Sequence, residues 1–194
     1  ADVVAPYGYN QGFMEARLAA PSLRFLLGTD QMGRDVFSRV VYGARISTIV
    51  GFSATTIATI ISVFLGILSG YIGGRFDLFF QRVVDAWMSI PGLIFAMVIM
   101  SIVGPGMAKI SLVLGVLWGV AGSRIIRGSV IAIKENMYIG ASKAIGCSVP
   151  RMLWRHVLPN VLAPAIILFT TRVPNVILTE ASLSFLGQGL PPPL

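Results

Sequence analysis

The fold class this sequence predicts is an all-α integral membrane protein, a bundle of about four transmembrane helices with a cytoplasmic helical loop. Three observations predict it. Of 194 residues, 55% are hydrophobic and only 12% charged, with a mean hydropathy of +0.81, far more apolar than a water-soluble domain of this length tolerates. The charges fall between long uncharged runs, the longest lying between Arg45 and Arg75. The excess of 15 Lys and Arg over 8 Asp and Glu sits in the connections between those runs, where membrane topology explains it better than nucleic-acid binding does.

Residues 1–45 are expected to form a periplasmic segment and lead-in helix. The opening Ala1-Asp2-Val3 has no Met, no basic region and no apolar run after it, so it is not a signal peptide, and the chain is expected to be processed or excerpted. Asp30, Arg34 and Asp35 are expected to form a polar cluster that caps the helix entering the first span, since acids suit helix starts. Contact with an external protein is the alternative.

The transmembrane domain is expected to cover 46–194. Its first span runs from Ile46 to Ile72, long enough for a hydrocarbon layer of roughly 30 Å, which needs about 20 residues. A link from Gly73 to Asp85 follows, and then a kinked helix over 86–103, with Pro91 near its start and Gly104-Pro105-Gly106 closing it. The third span, 107–123, is short, with Lys109 and Arg124 at its ends able to snorkel. The fourth, 161–183, is interrupted by Arg172, Pro174 and Glu180, so those residues are expected to face protein or water. Small residues recur four apart at Gly66, Gly70 and Gly74 and at Gly115 and Gly119, a spacing that permits close helix approach.

The connection 124–159 carries Arg124, Arg127, Lys134, Lys143, Arg151 and Arg155 against the single acid Glu135. The positive-inside tendency places it in the cytoplasm. Counting back through alternating spans puts 73–85 on the same side, and 104–109 and both ends on the other. Within the connection a helix is read over 131–144, a break at Gly146-Cys147-Ser148, and a second short helix from Val149-Pro150, capped by Ser148 and stopped by Pro159. A helix-turn-helix with basic flanks also suggests a DNA reader. Spans begin within a few residues on either side, so no nucleic-acid partner is expected. A short amphipathic helix held between two spans suits docking in a groove of a cytoplasmic partner.

Tyr138-Ile139-Gly140-Ala141-Ser142-Lys143-Ala144-Ile145-Gly146, followed after nine residues by His156-Val157-Leu158-Pro159, resembles the EAA loop of ABC-importer permeases. Ala141, Gly146, Leu158 and Pro159 match the pattern, whereas Gly140, Ser142 and His156 replace its Glu, second Ala and Ile. The segment Leu27-Gly28-Thr29-Asp30-Gln31-Met32-Gly33-Arg34-Asp35 and the stretch Arg155-His156-Val157-Leu158-Pro159-Asn160 are similar to the dipeptide, oligopeptide and nickel subfamily. So are Ser89-Ile90-Pro91, Ser184-Phe185-Leu186-Gly187 and Pro191-Pro192-Pro193.

The resemblance implies a type I ABC-importer permease fold of six spans, of which this chain is expected to lack the first and last. It further implies a bacterial or archaeal cytoplasmic membrane, a second permease subunit, two ATPase subunits, and a periplasmic or extracellular solute-binding protein. Peptides or nickel would be the cargo. Within the loop, Ala141, Ser142, Gly146, Leu158 and Pro159 would engage the ATPase, with Met152, Leu153 and Trp154 as apolar contacts and Arg151 and Arg155 at the rim. Packing of these residues on the chain's own helix ends is the alternative.

No Gly-x-x-x-x-Gly-Lys-Ser/Thr phosphate loop occurs in the sequence, so no cofactor is expected to bind directly, ATP belongs to partner subunits, and the chain is not expected to be an enzyme. Cys147 and His156 stand alone of their types, which excludes a disulfide and argues for structural roles. Arg172, near the middle of a span, is expected to face the translocation pathway and meet a substrate carboxylate or a partner's acid. A pair with Glu180 is the structural alternative, but eight residues of regular helix separate them by about 12 Å. An ion-gradient transporter is the rival reading, which would need titratable groups near mid-membrane.

Overall fold

The structure is a computed structural model that describes residues 3–189. The chain divides into two compact units at Ile49 and Val50.

In the first unit, Tyr7, Phe13 and Phe25 cluster with ring centroids 5.0–5.6 Å apart, and Arg24 lies over the Phe13 and Phe25 rings. Isolated antiparallel bridges join Gly12 to Arg34 and Thr29 to Asp35. The turn between them is built on Asp30, whose Oδ1 accepts the backbone N–H groups of Met32 and Arg34 at 2.8 and 2.9 Å. Its Oδ2 accepts from the guanidiniums of Arg34 and Arg39 at 2.8 and 2.5 Å. Gly33 closes the turn at φ +73°, where a Cβ would strike the Phe13 carbonyl. Asp35 then accepts the Ser38 N–H and hydroxyl at 2.8 and 2.6 Å, the N-cap arrangement. Asp35 thus does the capping expected of the cluster, and Asp30 clamps the turn before it.

α1 (Val36–Ile72) ends at Gly73, whose φ is +70°. α2 (Gly74–Ser89) follows at once, so 74–85 is helix where a link was expected. Its apolar residues Phe76, Leu78, Phe79 and Val83 are exposed, while Asp77 and Val84 are buried. A buried acid beside several exposed large apolar residues is the reverse of what a water-soluble helix shows. Ile90-Pro91 breaks the helix, and α3 (Gly92–Val103) leaves at 83°. Trp87 packs edge-on against Phe95 across the break at 4.8 Å.

α4 (Met107–Lys134) runs eleven residues beyond the expected 123. Its cations Arg124 and Arg127 are neutralised by Asp85 and Asp77 of α2, so they need not mark a helix end. The helix read over 131–144 breaks at Glu135 and Asn136, and α5 (Met137–Ala144) is separate. α6 (Val149–Met152) passes through a π turn (Leu153–Val157) into α7 (Leu158–Phe185). Pro159 therefore does not stop the helix. It falls in the first turn after the π turn, where Leu158 N–H reaches back to Leu153, and a widened ladder tolerates the missing donor and ring of a proline.

Among the described residues three helical stretches, Val36–Ile72, Met107–Lys134 and Val149–Phe185, are long and apolar enough to cross a membrane, and the bent α2–α3 pair passes the same test when its two helices are taken together. α1 and α4 run parallel: a Cβ at Gly115 would meet Ile57, at Gly119 Ile61, at Gly66 Ile126 and at Gly70 Val130, all within 3.0 Å. Ser62 donates to the Gly119 carbonyl at 2.8 Å in the same seam. This is the close approach the glycine spacing predicts, except at Gly74, which has φ +58° and no neighbour and serves the turn. α7 packs back against α4. Leu168 reaches Gly122, and Arg172 reaches Trp118.

Candidate functional site

α4, α5 and α7 converge on one buried apolar cluster: Ile126 and Val130 from α4, Ile139 from α5, Met152 from α6, and Val157, Val161, Ala165 and Leu168 behind it. Ile139 is the only fully buried residue of α5. It pins that short helix to the ends of the longer ones. Two turns fix the elbow's shape. Asn136 stands extended at the α5 N-terminus. Gly146, at φ +77°, closes the C-terminus by donating to the Lys143 carbonyl, with Cys147 N–H reaching Ser142 at 3.0 Å, the left-handed termination that glycine favours. Ser148 occupies the next N-cap position but makes no side-chain cap bond.

The sequence-predicted loop residues separate into two groups. Met152 is 1% exposed and accepts the Tyr71 hydroxyl at 3.3 Å, so it packs in the chain's own core, the alternative set beside its expected role as a partner contact. Leu153 rests partly on that core, Leu158 is half-buried, and Ser142 turns back to the Tyr138 carbonyl at 2.8 Å. Ala141, Gly146, Arg151, Trp154, Arg155 and Pro159 are exposed.

Trp154 lines an apolar groove of about 930 Å³ between the second half of α1, including Ile60, Phe64 and Leu68, and the stretch from Val149 to Phe169. Two apolar residues that the sequence reading passed over protrude furthest from α5 and its end: Met137 is 91% exposed and Ile145 is 85% exposed. The signal available for them was an apolar side chain at each end of a helix with a single buried position, since large exposed apolar residues are the informative ones.

A second constellation lies between α2 and α4. Asp77 receives Arg127 Nε at 2.6 Å and Arg127 Nη2 on its other oxygen, together with the Ser69 hydroxyl from α1. Gln81 donates to Ser69 at 3.2 Å. Lys134 donates to the Tyr71 carbonyl at 2.7 Å and stacks on the Tyr71 ring, satisfying a carbonyl that the end of α1 leaves unpaired. Asp85 pairs with Arg124 nearer the bend. These pairs tie the elbow end of α4 to α1 and α2.

Arg172 is half-buried on the stripe of α7 that carries Leu168, Val176 and Glu180. Its guanidinium carbon lies 4.6 Å from the centroid of Trp118 on α4. Among the described residues it makes no ion pair and no hydrogen bond. The Trp118 indole N–H is itself buried and without an acceptor there. Glu180 is buried and accepts the Ser184 hydroxyl at 2.8 Å. No group of three or more His, Cys, Asp or Glu able to hold a metal occurs among the described residues.

Fold and site together define a multi-pass, all-α membrane protein whose spans are joined rigidly to a short helical elbow. The family described as "Binding-protein-dependent transport system inner membrane component" matches residues 62–193, and the chain belongs to it. The dipeptide transport system permease protein DppC of Bacillus subtilis is 40% identical over 173 residues, covering 89% of this chain and 54% of the relative. DppC of Alkalihalophilus pseudofirmus is 38% identical over 178 residues, covering 92% and 59%. The oligopeptide transport system permease protein OppC of Bacillus subtilis is 36% identical over 174 residues, covering 90% and 57%. The chain thus spans between 54% and 59% of the length of these relatives.

Proposed function

We propose that this chain is part of the transmembrane permease subunit of an ATP-binding-cassette importer for peptides in the cytoplasmic membrane of a bacterium or archaeon. It works beside a second permease subunit, above two ATPase subunits, and receives cargo from a periplasmic or extracellular binding protein. ATP is bound and hydrolysed by the ATPase subunits, and the chain itself holds no cofactor. Membership of the family supports the importer reading. The peptide names of the relatives favour peptide over nickel as cargo.

One observation carries the coupling role: a helix with exposed apolar ends, Met137 and Ile145, is locked through Ile139 and Gly146 to the two helices α4 and α7. An apolar anchor entering a groove on an ATPase, with Lys143, Arg151 and Arg155 at the rim, is how a short helix docks. A push on α5 then moves α4 directly, because only Glu135 and Asn136 intervene. The exposed faces of Ala141 and Gly146 belong to the same surface. Trp154 and Leu153, which border the groove between α1 and α7, face neighbouring apolar matter. Arg172 is placed along the translocation pathway.

The test uses the complete transporter in proteoliposomes. Ile145→Asp is expected to abolish peptide-stimulated ATP hydrolysis or co-purification of the ATPases, while Trp154→Asp affects coupling less. Retention of full coupling by Ile145→Asp together with Met137→Asp would refute the docking surface. Uptake that runs on an ion gradient without ATP would establish the rival transporter class.

A further inference from the structure

We infer that Arg172, stacked on Trp118, is the point at which the pathway recognises a carboxylate group of the cargo. The inference rests on the peptide-importer reading and names the chemistry of its pathway. Arg172 differs from the cations in the second half of α4. Arg127 is held by Asp77, Arg124 by Asp85, and Lys134 by the carbonyl of Tyr71. Arg172 has the indole face of Trp118 and, among the described residues, no acceptor.

A guanidinium held over an indole ring makes no hydrogen bond with it and keeps its N–H edges, the part that grips a carboxylate through two parallel hydrogen bonds. Arg172 lies far from both ends of its helix. Arg172 is the fifteenth residue of α7, which runs from Leu158 to Phe185, so about 20 Å of helix separates it from either end. Snorkelling does not span that distance. Arg172 is only half-buried, so those edges are open to a group from outside. An acceptor supplied from outside the chain meets this pattern. A peptide with a free C-terminus carries one.

The experiment exposes the assembled transporter, reconstituted in nanodiscs, to phenylglyoxal, which modifies accessible guanidiniums, and follows Arg172 by mass spectrometry. Dialanine is expected to slow modification of Arg172 about threefold or more. Dialanine amide, which lacks the carboxylate, is expected to leave it unchanged. In uptake assays at saturating binding protein, Arg172→Gln should raise the half-saturating dialanine concentration about tenfold, the scale of one lost charge-assisted contact. Arg172→Lys, which keeps the charge, should recover much of that loss.

Equal protection by dialanine and its amide would overturn the inference. So would an Arg172 already unreactive without peptide, since a carboxylate of the second permease then holds it. Protection by acetate and dialanine in a transporter that never accumulates dialanine would keep the carboxylate site and remove the peptide reading.

Discussion

Asp77 shows how much one side chain can decide. Its carboxylate lies buried between Arg127, Ser69 and, through Ser69, Gln81, so it joins three helices. Breaking a buried ion pair by removing one partner costs about 3–5 kcal/mol. Asp77→Ala is accordingly expected to lower stability by about 3 kcal/mol in denaturant titrations of the purified protein, and Asp85→Ala, at a pair exposed on both sides, by under about 1 kcal/mol. Equal losses for the two would contradict the difference in burial.

Asp30 behaves otherwise. Burial pushes its carboxyl up, but the N–H groups of Arg34 and Met32 and the guanidiniums of Arg34 and Arg39 together hold it far below its ordinary 3.8. The folded group keeps its charge where the unfolded one takes a proton, so its stabilisation is complete above about pH 5 and is lost as pH falls below 3.8 toward the folded value. Proteolysis of the first unit should rise as pH drops through that window. Asp30→Asn should already be susceptible at neutral pH. None of the Asp77 arrangement was legible, because its partner lies 50 residues away and the sequence marks both only as charges. Asp35 was legible, since a cap acts within three residues.

At the scale of elements, the glycines of α4 separate packing from mere composition. A Cβ at Gly115 or Gly119 would lie 2.6 or 2.7 Å from the side chains of Ile57 or Ile61 on α1, whereas Gly128 has nothing within 4 Å. Overpacking typically costs about 1–3 kcal/mol. Gly119→Ala should therefore destabilise by that amount, while Gly128→Ala should be neutral or stabilising by up to about 1 kcal/mol through helix propensity. A shared small shift for both variants in the same denaturation assay would mean the seam is looser than its geometry.

The glycine spacing was readable from the sequence because helical periodicity is local. Helix extents were not. α2 was hidden by its charges, and α4 runs past Arg124 and Arg127, because ion pairs within the bundle replace the water those residues would otherwise seek. Pro159 misled in a similar way. The backbone accommodates it through the π turn before it, a change of ladder that no residue pattern announces.

Across the whole molecule, the proposed orientation rests on a cytoplasmic place for the basic elbow. Cys147 is the single cysteine of the chain and sits partly exposed beside Gly146 on that elbow. A membrane-impermeant maleimide should label it in inside-out vesicles and spare it in right-side-out ones. The opposite pattern would reverse every side assigned to the connections. Of the proposed docking surface, Ala141, Gly146 and the basic residues were singled out by motif and charge, and the structure leaves them exposed. Met137 and Ile145 emerged only when burial showed that Ile139 alone faces inward, and Met152 left the surface for the same reason.

Composition and hydropathy alone determined that this chain lives in lipid and is helical, because unpaired backbone polar groups have no other refuge there. Motif spacing determined its kinship, since turns and caps are read over a few residues. Tertiary structure decided which charges lie inside the bundle, where each helix stops, and which apolar residues of the elbow face outward. Those outcomes depend on partners distant in sequence, and the energy of a buried charge or an exposed side chain is set by what comes to lie beside it.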